Sequence, residues 1–476
     1  MSFQDPLFLL GFAFLLFYLH LMKRRRKALP WKWGLLIANF LFLTSFDYRF
    51  SLVLLGVILV TWATVSLMRA HPRMKQAGIL FCLLLLGFTK YCNFFLETFS
   101  MISGLPVRLL TILLPLGVSY YTFSAIGYIL DVSWEKQEPM CFLDTALFLS
   151  YFPKLIAGPL MRSTDFKKQL ENTNPAYLTG CEIFLFGAFK KYVFADHIAP
   201  FVDTVFSSPA LFGGLTMLEA TIGYMVQLYF DFSGYCDMAC GLSLCVGITL
   251  PKNFDLPYLS ATLQDYWHRW HITMATWFKD YLFLPLSLSP LCKKLRKAGK
   301  TRVQKNLFPL LFCTLVVWTA TGLWHGPSWN YVLWGLYHGI LLSLSLVFKP
   351  FLDRHHPKES FPFFLLQVLR TFLIVTFGEI IFRSESLPDA LSIIQRIFLN
   401  AEGATAHSSW LFLALLFLVA GEGAALLKAG SFPNVHGWYP TFPVTKLWGK
   451  VLLLTAVGVL VLFSMTSGGH FIYGAF

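Results

Sequence analysis

Long apolar stretches alternate with short polar turns from one end of the chain to the other. Windows of about 18 to 25 mostly apolar residues, the length that crosses a hydrocarbon core of ~30 Å, recur along it. They fall near 6–22, 33–46, 50–69, 78–98, 108–130, 142–157, 178–196, 214–246, 306–323, 329–348, 362–383, 410–428 and 448–466. The pattern predicts an all-α, polytopic membrane protein with about 11–13 membrane helices. Several windows are short or interrupted by Pro and Gly, so re-entrant or interfacial helices are expected among them. No polar stretch is long enough for a separate soluble domain, and residues 1–476 read as one membrane domain. Within it, 1–110 are N-terminal spans, 111–348 a core with two histidine blocks, and 349–476 C-terminal spans.

Polar residues inside apolar windows change the picture locally. Pro115 and Gly117 break one window, and Tyr120, Tyr121 and Tyr128 put hydroxyls inside it, so the segment is expected to face protein or a cavity. An interfacial tyrosine belt is the alternative. SYFPKLIAGPLMR, with Lys154 and Arg162 among two prolines and a glycine, reads as a bent segment at the membrane surface. Asp231 and Asp237 sit in the apolar run 225–244. A carboxylate there costs at least ~2.5 kcal/mol, so a structural role is expected: a pair with Arg269 or Lys279, or a cap on a helix broken at Ser233 and Gly234. Glu379 and Arg383, one helical turn apart, are expected to pair at a membrane boundary.

Composition agrees with the pattern. Hydrophobic residues make up 56% and charged residues 13%, with mean hydropathy +0.61, whereas soluble chains carry ~25% charge. The net charge of +13 gathers in clusters between spans, which fits positive-inside topology and not nucleic-acid binding. KRRRK at 23–27 follows the first apolar run, as in a retained anchor with its N-terminus outside. The acid-free stretch 293–305 marks a cytoplasmic loop. Nine cysteines lie scattered, and Cys236, Cys240 and Cys245 lack metal spacing, so neither a metal site nor a disulfide framework is expected.

The chemistry concentrates in two blocks. LQDYWHRWHITMATWFKDYLFLPL places His268 and His271 three residues apart, on one face of an expected interfacial helix rich in tryptophan. His-x-x-His with no third ligand nearby does not make a metal site. The second block, TGLWHGPSWNYVLWGLYHG, sets His325 beside Gly326 and Pro327, where a helix break is expected. An ionisable group there marks a functional site. Trp324 and Trp329 are expected to wall its pocket, Asn330 to bond His325 or a substrate carbonyl, and His338 to serve packing or support.

These blocks resemble the membrane-bound O-acyltransferases, in particular the bacterial alginate O-acetyltransferase branch. LPLGVSYYTFSAIGYILDV, SYFPKLIAGPLMR, YFDFSGYCDMACGL, PKNFDLPYLSATLQDYW, IFRSESLPDAL and the tail FIYGAF are similar to its other blocks, in the same order. The resemblance implies helices around a central funnel, His325 as the catalytic histidine and His271 as the second important one. Trp324, Gly326 and Asn330 fall in the implied pocket segment, with Arg269 and Trp270 as further candidates for substrate binding. His268 stands at a less constrained position, and Glu379 where the family implies an apolar or aromatic residue. No tightly bound cofactor is implied. The implied acyl donor is acetyl-CoA, delivered in the cytoplasm, or an acyl group on a small carrier protein. A periplasmic or membrane-anchored acetyltransferase would be the partner, and the bacterial inner membrane the location. The intramembrane polar residues alone leave a transporter or a scaffold open as other classes.

Overall fold

The computed structural model describes residues 5–354, 360–429 and 447–465. Among these the chain is helix and connecting turn, with no strand. Among the described residues seven helices are long and apolar enough to cross a membrane: Leu7–Arg24, Tyr48–Leu67, Met74–Ser103, Arg302–His325, Trp329–Phe348, Phe361–Arg383 and Ser409–Leu426. Ala28–Thr44 and Trp448–Ser464 are shorter apolar helices. The protein is therefore an all-α, multi-pass membrane protein. The tail motif FIYGAF lies outside the described residues.

The chain divides into two compact units, one of Met1–Gly187 with Tyr235–Pro251, the other of Ala188–Gly234 with Lys252–Phe476. The 33-residue helix Gly214–Val246 contributes to both.

In the first unit, the helix Val118–Ser133 packs against Tyr48–Leu67, Met74–Leu86 and Phe142–Ser150. The window 108–130 is not one span, because residues 104–117 form no regular helix and the helix starts at Val118. Tyr120, Tyr121 and Tyr128 are buried, and Tyr128 accepts the Met140 N–H at 2.6 Å, so these rings face protein. The window 142–157 likewise splits at Tyr151 into Phe142–Ser150 and Phe152–Leu155, just ahead of Pro153. Lys154 is buried within the protein: it is 3% exposed, with Nζ 3.6 Å from the Phe148 ring centre and 3.4 Å from Ser124 Oγ. An aromatic face and a hydroxyl take the place of water around this amine.

In the second unit, Asp231 bonds Lys191 at 2.6 Å, and Lys191 also reaches Asp196 at 2.8 Å; Lys191 is a partner that the sequence pattern did not single out. Lys191 lies in the π-turn Phe189–Ala195, whose extra residue turns side chains off the α-helical register. Ser233 and Gly234 lie within continuous helix, so Asp231 caps no break. Arg383 pairs with Asp203 at 2.6 Å, while Glu379 meets Trp334 instead.

The expected basic loop at 293–305 is folded. Pro290–Ala298 is a helix, and a capping box of Thr301 and Gln304 starts Arg302–His325. That helix pairs with Trp329–Arg354 through glycine. A Cβ on Gly322 would lie 2.2 Å from Tyr331 O, and one on Gly335 2.2 Å from Trp318 O. Only two hydrogen-sized residues allow such backbone approach, and it brings the end of the first helix against the start of the second.

Candidate functional site

The site is built in the second unit from the end of Arg302–His325, the start of Trp329–Arg354, the helix Phe361–Arg383, and a broken segment around His271. Twenty-four residues of helix span ~36 Å and run without interruption to His325; the break comes after it, at residues 326–328. His325 is 3% exposed. Its ring packs on Trp324 at 5.0 Å, Trp334 at 5.0 Å and Phe382 at 5.3 Å between centroids. Gly326 is extended, and a Cβ there would run into the Tyr331 ring. Trp329 is 45% exposed, so Trp334 and Phe382 are the walls, with Trp324.

His271 does not share a helical face with His268. The first helix ends at Arg269, and His271 adopts φ 45° as the residue preceding the helix Ile272–Phe278. Asn253 explains this turn. Its backbone carbonyl accepts Ile272 N–H at 2.9 Å, and its Oδ1 accepts Thr273 N–H at 3.1 Å and Thr273 Oγ1–H at 2.8 Å. The same oxygen lies 3.2 Å from His271 Nδ1. An acceptor at that distance assigns the proton to Nδ1 and the basic lone pair to Nε2. Burial lowers the pKa of this imidazole to about 3, so it is neutral at physiological pH. Phe232 packs on it at 4.7 Å and Trp324 at 5.9 Å. Asn253 was not singled out in the sequence; its signal was the block PKNFDLPYLS, whose polar residue among apolar ones had no visible partner.

The other expected residues each have an identifiable environment. Asn330 Nδ2 donates to Ser384 O at 2.7 Å, which ties the Trp329 helix to the end of Phe361–Arg383. Arg269 is buried and donates to Asp265 at 2.9 Å, while Trp270 stacks on Tyr266 at 5.7 Å; both support the broken segment. His338 is fully buried among Trp267, Trp318 and Trp334, as a packing role requires. Asp231 is held by Lys191, and Asp237 is half-buried farther along the same helix. No group of three metal-ligating residues occurs among the described residues.

A cavity of about 490 Å³ lies among residues next to the pair in sequence, within the ~300–1,000 Å³ of ligand sites. Its lining includes Ile272, next to His271, and Thr321, one turn before His325. His268 and Lys279, both exposed, stand at its polar rim, and Trp267 and Trp318 form part of its inner wall.

Comparison with known proteins identifies the family. The model of the membrane-bound O-acyltransferase family matches residues 133–384. A peptidoglycan O-acetyltransferase of Helicobacter pylori is 31% identical over 436 residues, 83% of this chain and 79% of the relative. A probable alginate O-acetylase AlgI of Pseudomonas aeruginosa is 34% identical over 380 residues, 76% of this chain and 69% of the relative. A teichoic acid D-alanyltransferase of Bacillus subtilis is 30% identical over 280 residues, covering 56% and 68%. The matched family region contains both histidine blocks. With its helices, the family match and these relatives, the chain belongs to the membrane-bound O-acyltransferase family and is an acyltransferase.

Proposed function

We propose that this protein takes an acetyl group from acetyl-CoA at the cytoplasmic face of the bacterial inner membrane. It passes the group on for O-acetylation of an exported polysaccharide such as alginate, through a periplasmic or membrane-anchored acetyltransferase partner. The observation that carries this reading is the buried His325 at the end of a long apolar helix, sharing the Trp324 indole with a second buried imidazole, His271.

His325 takes the proton of an acceptor hydroxyl. The oxygen then attacks the thioester carbonyl, the C–S bond breaks, and the departing thiolate is protonated by the imidazolium. A brief acyl-imidazole on His325 is the covalent form of the same transfer. His271 keeps Trp324 and the donor path in place. Trp324 and Gly326 shape the pocket, and Asn330, Arg269 and Trp270 brace its walls. The cavity bordering Ile272 and Thr321 suits the apolar arm of the donor, and the basic residues at 293–305 attract its anionic part.

The test is the acetyl content of the exported polymer in a deletion strain complemented with wild type, His325→Ala or His271→Ala at matched membrane levels. Loss with His325→Ala supports transfer through that ring; full acetylation would hand the lead to a scaffold or transporter role. A second acceptor, peptidoglycan, is favoured by the broad match to the Helicobacter pylori relative. Acetyl content of purified cell wall decides between them. Turnover that requires a charged small carrier protein in place of acetyl-CoA would point to D-alanyl transfer.

A further inference from the structure

Glu379 is a carboxyl group with an unusual position. It lies in the apolar helix Phe361–Arg383 and is 3% exposed. Arg383, one turn away, is engaged with Asp203. What Glu379 does meet is an indole: Trp334 Nε1–H donates to its Oε1 at 3.3 Å, and its Oε2 has no partner among the described residues. A carboxyl in such a place is costly and marks function more often than packing.

The Trp334 ring is the hub of the site. It packs on His325 at 5.0 Å, on Phe382 at 5.3 Å, on His338 at 4.9 Å and on Trp267 at 5.6 Å. The χ2 torsion of an indole is broad, and its single N–H is the one group through which a fixed acceptor can hold the ring in place. Glu379 supplies that acceptor. Phe382, three residues on and therefore on the same helix face, packs directly on His325 at 5.3 Å. The helix is held close: a Cβ at Gly378 would lie 2.9 Å from both His338 Nε2 and the Tyr337 ring.

We propose that Glu379 is a positioning residue that fixes the Trp334 indole, and through it the orientation of the His325 imidazole for proton transfer. This rests on the reading that His325 carries the proton. The function needs an acceptor oxygen at the reach of a glutamate side chain and not a negative charge. Glutamine keeps both the reach and the oxygen; aspartate keeps the carboxyl group but is one methylene short; leucine keeps only the bulk.

The experiment measures release of CoA from acetyl-CoA by inverted membrane vesicles of the deletion strain carrying each variant, at matched protein levels and over a range of donor concentrations. Glu379→Gln is expected to stay within about twofold of wild type. Glu379→Asp and Glu379→Leu are expected to lose about tenfold or more in kcat, with donor KM unchanged, as for a misaligned catalytic group. Trp334→Phe should lose a similar amount, and adding Glu379→Leu to it should cost little more. Aspartate or leucine variants as active as wild type overturn the proposal, as does a glutamine variant as impaired as leucine. So do single losses that multiply in the double variant. If Glu379→Leu fails to accumulate, the Asp and Gln variants decide by the same criteria. Wild type that releases no CoA, or His325→Ala that releases it at the wild-type rate, sinks the functional reading itself and this proposal with it.

Discussion

His271 and His325 share one wall: the Trp324 indole packs on the first at 5.9 Å and on the second at 5.0 Å between ring centroids. The two imidazoles come from blocks 54 positions apart in the chain, and each is held by a different device. His325 ends a long helix seated glycine-on-glycine against its neighbour. His271 sits in a left-handed turn that a single asparagine organises. A shift in either support reaches the other ring through one rigid aromatic side chain.

The asparagine clamp is open to direct test. Asn253→Ala removes the acceptor of Thr273 N–H, Thr273 Oγ1–H and His271 Nδ1. At ~1 kcal/mol per bond, and more for a buried donor left unpaired, the loss should be about 2–4 kcal/mol, read as a lower melting temperature in detergent. Asn253→Asp keeps the oxygen and should retain more of the stability. Equal melting temperatures for wild type and Asn253→Ala would show that the turn does not depend on this side chain.

A pH dependence follows from His271. Its pKa is about 3 in the folded protein against 6.5 for the ordinary group. Between these values the unfolded chain binds a proton that the folded one does not, so stability rises with pH across that window. The contribution is complete above pH 6.5 and is lost as the pH falls toward 3, by up to ~1.4 kcal/mol per unit. His271→Gln should flatten the fall in melting temperature between pH 7 and 5. An unchanged slope would mean that the ring is already protonated in the fold.

Breaking the buried lysine network should be costly. Lys191→Met leaves Asp231 and Asp196 without the cation recorded at 2.6 and 2.8 Å, and removing one partner of a buried pair costs ~3–5 kcal/mol. The variant is expected to accumulate poorly in membranes. Adding Asp231→Leu and Asp196→Asn should restore much of the level, because the uncompensated charges go with it. Normal accumulation of Lys191→Met alone would contradict a structural role for the triad.

Close backbone approach makes a sharp steric prediction. Gly322→Ala places a methyl 2.2 Å from Tyr331 O, so the two helices must separate. Overpacking of this kind costs about 1–3 kcal/mol, and transfer activity should fall because His325 is one turn away. Gly11→Ala, where nothing lies within 4 Å, is the control and should behave as wild type. Equal activity of the two variants would show that the helix pair has room to spare.

Much of the molecule was legible in the order of its residues. Apolar windows of membrane length and the near absence of charge settle the all-α, multi-pass class, because the bilayer interior admits a lipid-exposed backbone only when its hydrogen bonds are made locally. The Trp-His-Gly and Trp-His-Ile blocks announce the family by themselves, since their residues adjoin in sequence. That Asp231 would need a partner also followed from the cost of burying a carboxylate.

Partners across the fold were not legible. Asp231 meets Lys191, a partner that nothing in the local sequence named; Glu379 was expected to meet Arg383 and meets Trp334. Helical periodicity put His268 and His271 on one face, but Asn253, eighteen residues upstream of His271, turns the chain between them. The bend around Lys154 was legible from its prolines and glycine, but not that an aromatic ring would shelter the amine inside the first unit. Local spacing is written in the chain because covalent geometry fixes it. Which buried polar group satisfies which other is decided only when helices pack, since burial makes a partner obligatory without specifying its place in the sequence.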